Sequence, residues 1–278
     1  MIAPTRKTLR RGAMPLLLTA VALSAGPAAA TALPNVRGSS PQPKITGGRS
    51  DPYGNTKWIA SVLRVNKRTV SFCGGSLIAR RYVLTAAHCA RQNYRRDLVV
   101  RIGSKRLGRG GFVRGVSDVF RYPHYDPRTN YGDLAILKLS RPVPLRPAHL
   151  VPSGTSYATD PPSNRAYIAG WGQTRNGGGL ARKLRSAWIR MLPDRVCNGL
   201  QPPFNGSVMV CAGNPPKDTC HGDSGGPLAV WDGSWWELVG VTSYGRNRCG
   251  IAPAAYSWIG SPVLHRWLDG FVRGSAGP

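Results

Sequence analysis

Acidic residues are scarce in this chain: 12 Asp and Glu stand against 38 Lys and Arg, a formal charge of +26. A surplus of this size attracts nucleic acid, anionic glycans or anionic envelopes with a salt-dependent affinity, without choosing a fold. The arginines are scattered, however, and neither an uninterrupted basic tail nor a nucleic-acid motif is present, so a solvated surface is the plainer reading. Long apolar runs are also missing. The run at 15–23 is too short to cross a bilayer and no later stretch approaches that length, so the mature protein is expected to lack a transmembrane segment. Cysteines number six, with no pair at zinc-finger spacing, and His124, His149 and His265 have neither metal-ligand spacing nor catalytic context. No metal and no cofactor are expected.

What is present fits a folded, loop-rich, mostly β chain. A hydrophobic share of 41% allows a substantial core, while 34 glycines and 24 prolines stay short of a disordered composition. Arg6, Lys7, Arg10 and Arg11 precede the apolar run, and Ala28-Ala29-Ala30 supplies small residues for cleavage, so residues 1–30 read as a secretory signal. Arg10-Arg11 alone says little about the export route. Residues 31–44, with proline, serine and glycine but no apolar period, read as a leader. These 44 residues hold six basic side chains and no acid, so +20 remains from residue 45 onward. Secretion into an oxidising compartment makes three disulfides the natural use of six cysteines, and fifteen pairings satisfy the count.

From residue 45, short apolar runs bounded by turn residues recur at 58–65, 82–87, 98–102 and 134–139. A second series follows at 166–171, 184–192, 208–211, 228–231 and 235–243. The last two flank Asp232-Gly233, a hairpin signal. Two strand-rich halves dividing near 147–162 are expected. Only the C-terminus reads as helix, with Ser261 as cap, Pro262 in the first turn, and Val263, Trp267 and Phe271 on one core-packing face.

The stretch from Cys220 through His221-Gly222-Asp223-Ser224-Gly225-Gly226 to Leu228 carries the clearest chemistry. Glycines around Ser224 permit a tight turn that exposes its hydroxyl and leaves nearby N–H groups free for an anion. A serine hydroxyl is a poor nucleophile near neutrality and needs a base and a group to orient that base. His88, in Thr85-Ala86-Ala87-His88-Cys89, ends an apolar strand beside a cysteine that can pin it. Asp133 immediately precedes the apolar run at 134–139. Taken alone, such a histidine is more often structural and such an aspartate more often a strand-end cap.

Together these segments closely resemble the trypsin-like serine proteases of the chymotrypsin fold, with bacterial trypsins nearest in look. The resemblance covers nearly all of 45–272. Its markers are Ile45-Thr46-Gly47-Gly48, the histidine segment, Asp133 with its strand, Gly170-Trp171-Gly172, the serine motif and Ser243-Tyr244-Gly245. It implies an all-β fold of two six-stranded antiparallel β-barrels with a C-terminal helix, and a peptidase domain over 45–278. It also implies Ser224 as nucleophile, His88 as general base and acid, Asp133 as orienting acid, and the backbone N–H groups of Gly222 and Ser224 as oxyanion hole; the triad chemistry is the well-described one of this family. The implied disulfides are Cys73–Cys89, Cys197–Cys211 and Cys220–Cys249. The loop at 101–117 contains no carboxylate, which argues against the calcium site of many animal trypsins.

Cleavage between Lys44 and Ile45 would release residues 31–44 as an activation peptide and free an ammonium to pair with Asp223. Because Lys44 matches the specificity expected of the enzyme itself, self-activation is one route and another protease a second. Asp218, with Thr219 beside it, corresponds to the acid at the base of the specificity pocket, which favours substrates with Arg or Lys before the scissile bond. Ser243 and Gly245 match positions that pair with an extended substrate, and Tyr244 replaces the usual tryptophan. Ala254 replaces a glycine of the pocket wall, narrowing it in favour of arginine. His221 replaces the common glutamine and is assigned no firm role. The expectation is a secreted, monomeric endopeptidase acting on protein or peptide substrates, open to a proteinaceous inhibitor and to charge-driven association with anionic surfaces. The rival is a catalytically silent cationic binding protein on the same scaffold, which loss of a triad residue would favour; none is lost.

Overall fold

The computed structural model describes residues 45–90, 92–155 and 165–272. The expected signal segment, the leader and Lys44 lie outside the described residues. A short β1 (Arg49–Ser50) leads into six strands: β2 (Ile59–Arg64), β3 (Lys67–Ala79), β4 (Tyr82–Thr85), β5 (Leu98–Ile102), β6 (Phe112–Arg121) and β7 (Ala135–Leu139). They close a barrel in the order β2-β3-β4-β7-β6-β5. Leu84 faces Ile136 across β4 and β7, and Val62 faces Val100 where β2 meets β5. All four side chains are fully buried, which is why the runs that form these strands read as apolar in the sequence.

The second half contains β8 (His149–Leu150), β9 (Arg165–Gly170), β10 (Arg185–Leu192), β11 (Met209–Gly213), β12 (Pro227–Trp231), β13 (Trp236–Tyr244) and β14 (Ala254–Trp258). Six of them close a second antiparallel barrel in the order β9-β10-β11-β14-β13-β12 and back to β9, with β1 added at β10 and β8 lying parallel to β13. The two barrels and the terminal helix are therefore those expected. At the Asp232-Gly233 turn the Asp232 carboxylate accepts the N–H groups of Ser234 and Trp235, and Gly233 takes φ +105°. Strands β3, β6 and β14 had no counterpart in the apolar runs. Phe112–Arg121 is half-buried along most of its length, and Gly74-Gly75 interrupts β3.

Helix α1 (Pro262–Val272) differs in detail from expectation. Val263 is 50% exposed, and the buried stripe runs instead through Leu264 and Leu268. Trp267 and Phe271 flank that stripe and stack edge-on against Tyr122 and Tyr82 of the first half. A 3.6-residue period places 264, 267, 268 and 271 on one face and leaves 263 at its margin. The Ser261 hydroxyl donates to the Ser207 carbonyl (2.7 Å), while the Ser261 carbonyl accepts the His265 N–H (2.8 Å). The helix that ends the second half thus packs on strands of the first and ties the two barrels together.

Candidate active site

His88 lies in a single 3-10 turn, Ala87–Cys89, directly after β4. The Cys73–Cys89 disulfide fixes that turn to β3. Asp133, one residue pair ahead of β7, is completely buried and holds His88 at two points: one carboxylate oxygen accepts the His88 backbone N–H (2.9 Å), and the other lies 2.7 Å from Nδ1. The clamp fixes both ring orientation and the nitrogen that faces the acid, leaving Nε2 directed away from Asp133. The second barrel secures the carboxylate from behind. Ser243 of β13 donates its hydroxyl to Asp133 Oδ2 (2.6 Å), and the Ser257 hydroxyl of β14 donates to the Asp133 carbonyl (3.1 Å). Sequence reasoning missed both serine hydroxyls: Ser243 stood out only for its backbone, and Ser257 sits in an ordinary strand.

Ser224 occupies a turn whose geometry depends on glycine. Gly222 and Gly225 adopt φ of +94° and +79°, where a Cβ is strained. The Asp223 N–H donates to the Cys220 carbonyl (2.9 Å), the Gly226 N–H to the Asp223 carbonyl (2.9 Å), and the Ser224 carbonyl accepts the N–H of Gly74 in β3 (2.7 Å). That last bond, with Cys89 Sγ 3.7 Å from the same carbonyl, brings the serine turn of the second barrel against the histidine turn of the first. Among the described residues, the N–H groups of Gly222 and Ser224 donate to no protein acceptor and the Ser224 hydroxyl makes no hydrogen bond. Two adjacent unclaimed donors beside a hydroxyl form a site where negative charge can be received.

A pocket of about 200 Å3 opens at Ser224 and is lined by Asp218, Thr219, Ser243, Tyr244, Gly245 and Ala254. Asp218 is buried and accepts the Gly250 N–H (3.0 Å), and burial raises its carboxyl to about 6. No cation pairs with it among the described residues. Ala254, 2% exposed, puts a methyl group in the wall opposite Gly245, where an added Cβ would lie 3.3 Å from it. Tyr244 donates its hydroxyl to the Pro203 carbonyl (3.3 Å), and burial pushes that hydroxyl up to about 12. His221 is exposed at the rim, its Nδ1 3.7 Å from Cys249 Sγ. The Cys220–Cys249 disulfide braces this wall, and Cys197–Cys211 forms in the same half, completing the three implied pairings.

Asp223 points away from the pocket into the protein. One oxygen accepts the Gly172 N–H (2.8 Å) and the other the Cys220 N–H (3.0 Å), and burial, reinforced by the nearby Asp218 charge, raises the carboxyl to about 7. No cation reaches it among the described residues. The Gly170-Trp171-Gly172 segment exists to house this group: a Cβ on Gly172 would stand 2.5 Å from the Asp223 Cγ, and one on Gly170 would overlap Oδ1. Ile45 is fully buried in the second barrel beside Val210, Ala212 and Ala254, at φ +35°, a conformation β-branched residues rarely adopt. Its neighbour Thr46 accepts the Asp218 N–H at its carbonyl (3.0 Å), joining this segment to the pocket base.

Two clusters bring a histidine close to a pair of cysteines, His88 with Cys73 and Cys89 and His221 with Cys220 and Cys249. All four sulfurs are spent in disulfides, so neither cluster offers a thiolate set for a metal.

The Trypsin family model matches residues 45–264. The chain is 36% identical over 237 residues to transmembrane protease serine 9 of Rattus norvegicus, covering 79% of this chain but only 22% of that protein's length. It is 36% identical over 196 residues to a trypsin of Saccharopolyspora erythraea, covering 68% of this chain and 83% of the relative. Among solved structures, the human heparin binding protein superposes with a TM-score of 0.68 at 29% identity, over 84% of this chain and 99% of that one. No helix among the described residues is long and apolar enough to cross a membrane. With a family match across most of its length, two closed barrels and a bacterial trypsin among its relatives, this chain belongs to the trypsin family of serine proteases.

Proposed function

We propose that the chain is a secreted serine endopeptidase, made as a zymogen, that cleaves after Arg or Lys through an acyl-enzyme. The observation that carries this reading is that one pocket is lined both by Ser224 and by a buried, uncompensated Asp218. A substrate guanidinium or ammonium entering the pocket supplies the missing charge, whereas a neutral side chain leaves the carboxylate unpaired. The Ser224 hydroxyl then attacks the carbonyl carbon while His88 Nε2 takes its proton, and the carbonyl oxygen becomes an oxyanion within reach of the Gly222 and Ser224 N–H groups. His88 returns the proton to the leaving amine as the C–N bond breaks, and a water activated by the same histidine hydrolyses the ester. Asp133 holds the tautomer and balances the imidazolium charge. The Ser224 hydroxyl makes no hydrogen bond among the described residues, and in such sites the bond to the base commonly forms only with substrate bound. An oxyanion donor in such a site typically contributes roughly 3–4 kcal/mol.

The zymogen reading rests on Asp223 and Ile45. Cleavage before Ile45, which is fully buried, would create an ammonium for a buried carboxylate that has no cationic partner among the described residues. Three disulfides fit an oxidising, extracellular setting. The Ala254 methyl favours arginine, whose fork reaches Asp218 directly, over lysine, which would need a bridging water in less space. Equal efficiency on matched Arg and Lys peptides would remove that preference. A Ser224→Ala protein that still matured in isolation would exclude self-processing.

The test incubates protein processed at Lys44–Ile45 with otherwise identical peptides ending in Arg, Lys, Phe or Ala before the scissile bond, beside a Ser224→Ala control. Cleavage confined to the basic peptides and lost in the control supports the reading; no cleavage of either basic peptide ends it. The second reading, a silent cationic binding protein, draws on the +20 charge from residue 45 onward and on the superposition with the human heparin binding protein. It predicts no turnover of any peptide in that assay together with tight, salt-sensitive binding to polyanions.

A further inference from the structure

Away from the serine cleft, a second pocket of about 270 Å3 is formed where the loop after β5 meets the chain leading into β10, and its charged lining is Arg106, Arg109, Arg182 and Lys183. All four are exposed, and none forms an ion pair among the described residues. The absence of counter-charge begins in the sequence: no acid occurs at 98–117 or at 161–193, the two segments that build the pocket. The nearest basic neighbour differs. Lys105 is bound to the buried Asp51 carboxylate and to Thr56 (2.9 Å), so its charge is already spent.

The backbone from which these cations project is tied down. Arg106 and Lys183 form an antiparallel bridge, closed by the Leu107 N–H to the Arg182 carbonyl (3.0 Å) and the Leu184 N–H to the Lys105 carbonyl (2.8 Å). The Ser104 hydroxyl donates to the Arg106 carbonyl (2.7 Å) and accepts the Arg106 N–H (2.9 Å). Arg101 donates to the Gly110 carbonyl from beneath (2.6 Å). A loop ordered in this way has already lost the backbone freedom that a flexible basic segment would give up on binding.

We infer that this pocket is a binding site for an anionic polysaccharide, whose sulfate or phosphate esters the three guanidinium forks and the ammonium hold. Guanidinium groups match such ester oxygens two at a time, and four cations grouped on one ordered stretch of backbone suit charges repeated along one chain. The lining contains no aromatic ring, so the site offers no platform on which a nucleic-acid base could stack. The site shares no residue with the Ser224 pocket and does not depend on turnover there.

The test uses the full chain carrying Ser224→Ala, so that binding is read without catalysis. Affinity for a short dextran sulfate, a phosphomannan fragment, uncharged dextran and a mixed-sequence single-stranded DNA is measured from 50 to 300 mM salt. The sulfated and phosphorylated glycans distinguish the two ester sources, and binding of either supports the site. Replacing Arg106, Arg109, Arg182 and Lys183 together by Ala is expected to weaken glycan binding at least tenfold at 150 mM salt and to lower the salt slope by about 3. Removing Arg80, Arg141, Arg195 and Arg266, which take no part in the pocket, is expected to cost less than threefold. Should the alanine variant not fold, Arg→Lys at 106, 109 and 182 keeps the charge and removes the forks, with an expected loss of at least threefold. Equal losses in the two quadruple variants, an unaffected lysine variant, or DNA binding tighter than either glycan would overturn the proposal.

Discussion

Asp218 and Asp223 lie five residues apart, both buried and neither with a cationic partner among the described residues. Asp218 looks into the pocket, where the proposed function puts a basic substrate side chain; Asp223 looks into the protein, where the same proposal puts the ammonium that cleavage before Ile45 would create. Breaking a buried pair by neutralising one partner typically costs 3–5 kcal/mol, so Asp218→Asn is expected to lower kcat/KM on Arg peptides by about two orders of magnitude or more, leaving Ala peptides unaffected. Burial sets the Asp218 carboxyl at about 6, so an amidinium compound such as benzamidinium should bind well above pH 7 and progressively more weakly as pH falls through 6. The asparagine variant should flatten that profile, as titration calorimetry would show; an identical pH dependence in the variant would remove Asp218 from the pocket's chemistry. Gly172 is a separate test of the Asp223 chamber. A methyl there would stand 2.5 Å from the carboxylate carbon, so Gly172→Ala should destabilise the protein by about 1–3 kcal/mol or more, read as a lowered denaturation midpoint. An unchanged midpoint would mean that Asp223 is held elsewhere.

At the scale of elements, β13 and β14 of the second barrel support the acid that orients a histidine of the first. Ser243→Ala deletes the 2.6 Å hydrogen bond to Asp133 Oδ2 and should lower kcat about tenfold with KM little changed, since the pocket keeps its carboxylate. A change confined to KM would assign Ser243 to substrate contact instead. The sequence made the strands around this site readable where burial is two-sided: the Leu134 run is apolar except at its partly exposed Lys138, and the strand before His88 is buried from Val83 to Thr85. It concealed β3, where Gly74-Gly75 gives no side-chain pattern, although Gly74 offers its N–H to Ser224 and faces Gly226 so closely that a Cβ would lie 2.8 Å from the Gly226 Cα. It also concealed the Asp133 supports, because a serine hydroxyl in a strand has no periodic signature. The serine, histidine and aspartate segments were legible through their local glycines, cysteine and apolar flanks, and their roles through resemblance. The helix stripe was placed off-centre: Val263 lies four residues before Trp267 and looked like part of the set, but the 3.6-residue period centres the face near Leu264 and Leu268 and leaves Val263 at the margin, half exposed.

For the whole molecule, two barrels, three disulfides and a terminal helix enclose two carboxyls that burial raises to about 6 and about 7. Their values in the unfolded chain lie near 4, so between pH 4 and 7 the folded state holds more protons than the unfolded one. Stability of the uncleaved chain should therefore fall as pH rises through that window, with the cost fully present above about 7. Protein processed at Lys44–Ile45, measured as Ser224→Ala to prevent self-digestion, gains an ammonium and should lose much of that decline. Superimposable denaturation curves for the two forms from pH 4 to 8 would contradict the pairing. The nucleophile, the base and the pocket can be examined together in one covalent reaction. Processed protein is treated with a phosphonate ester bearing a guanidinium side chain or, in parallel, a phenyl side chain, and the adduct is located by mass spectrometry. A single adduct on Ser224 is expected, formed at least a hundredfold faster with the guanidinium reagent and abolished by His88→Ala. No adduct, an adduct on another residue, or faster labelling by the phenyl reagent would contradict it.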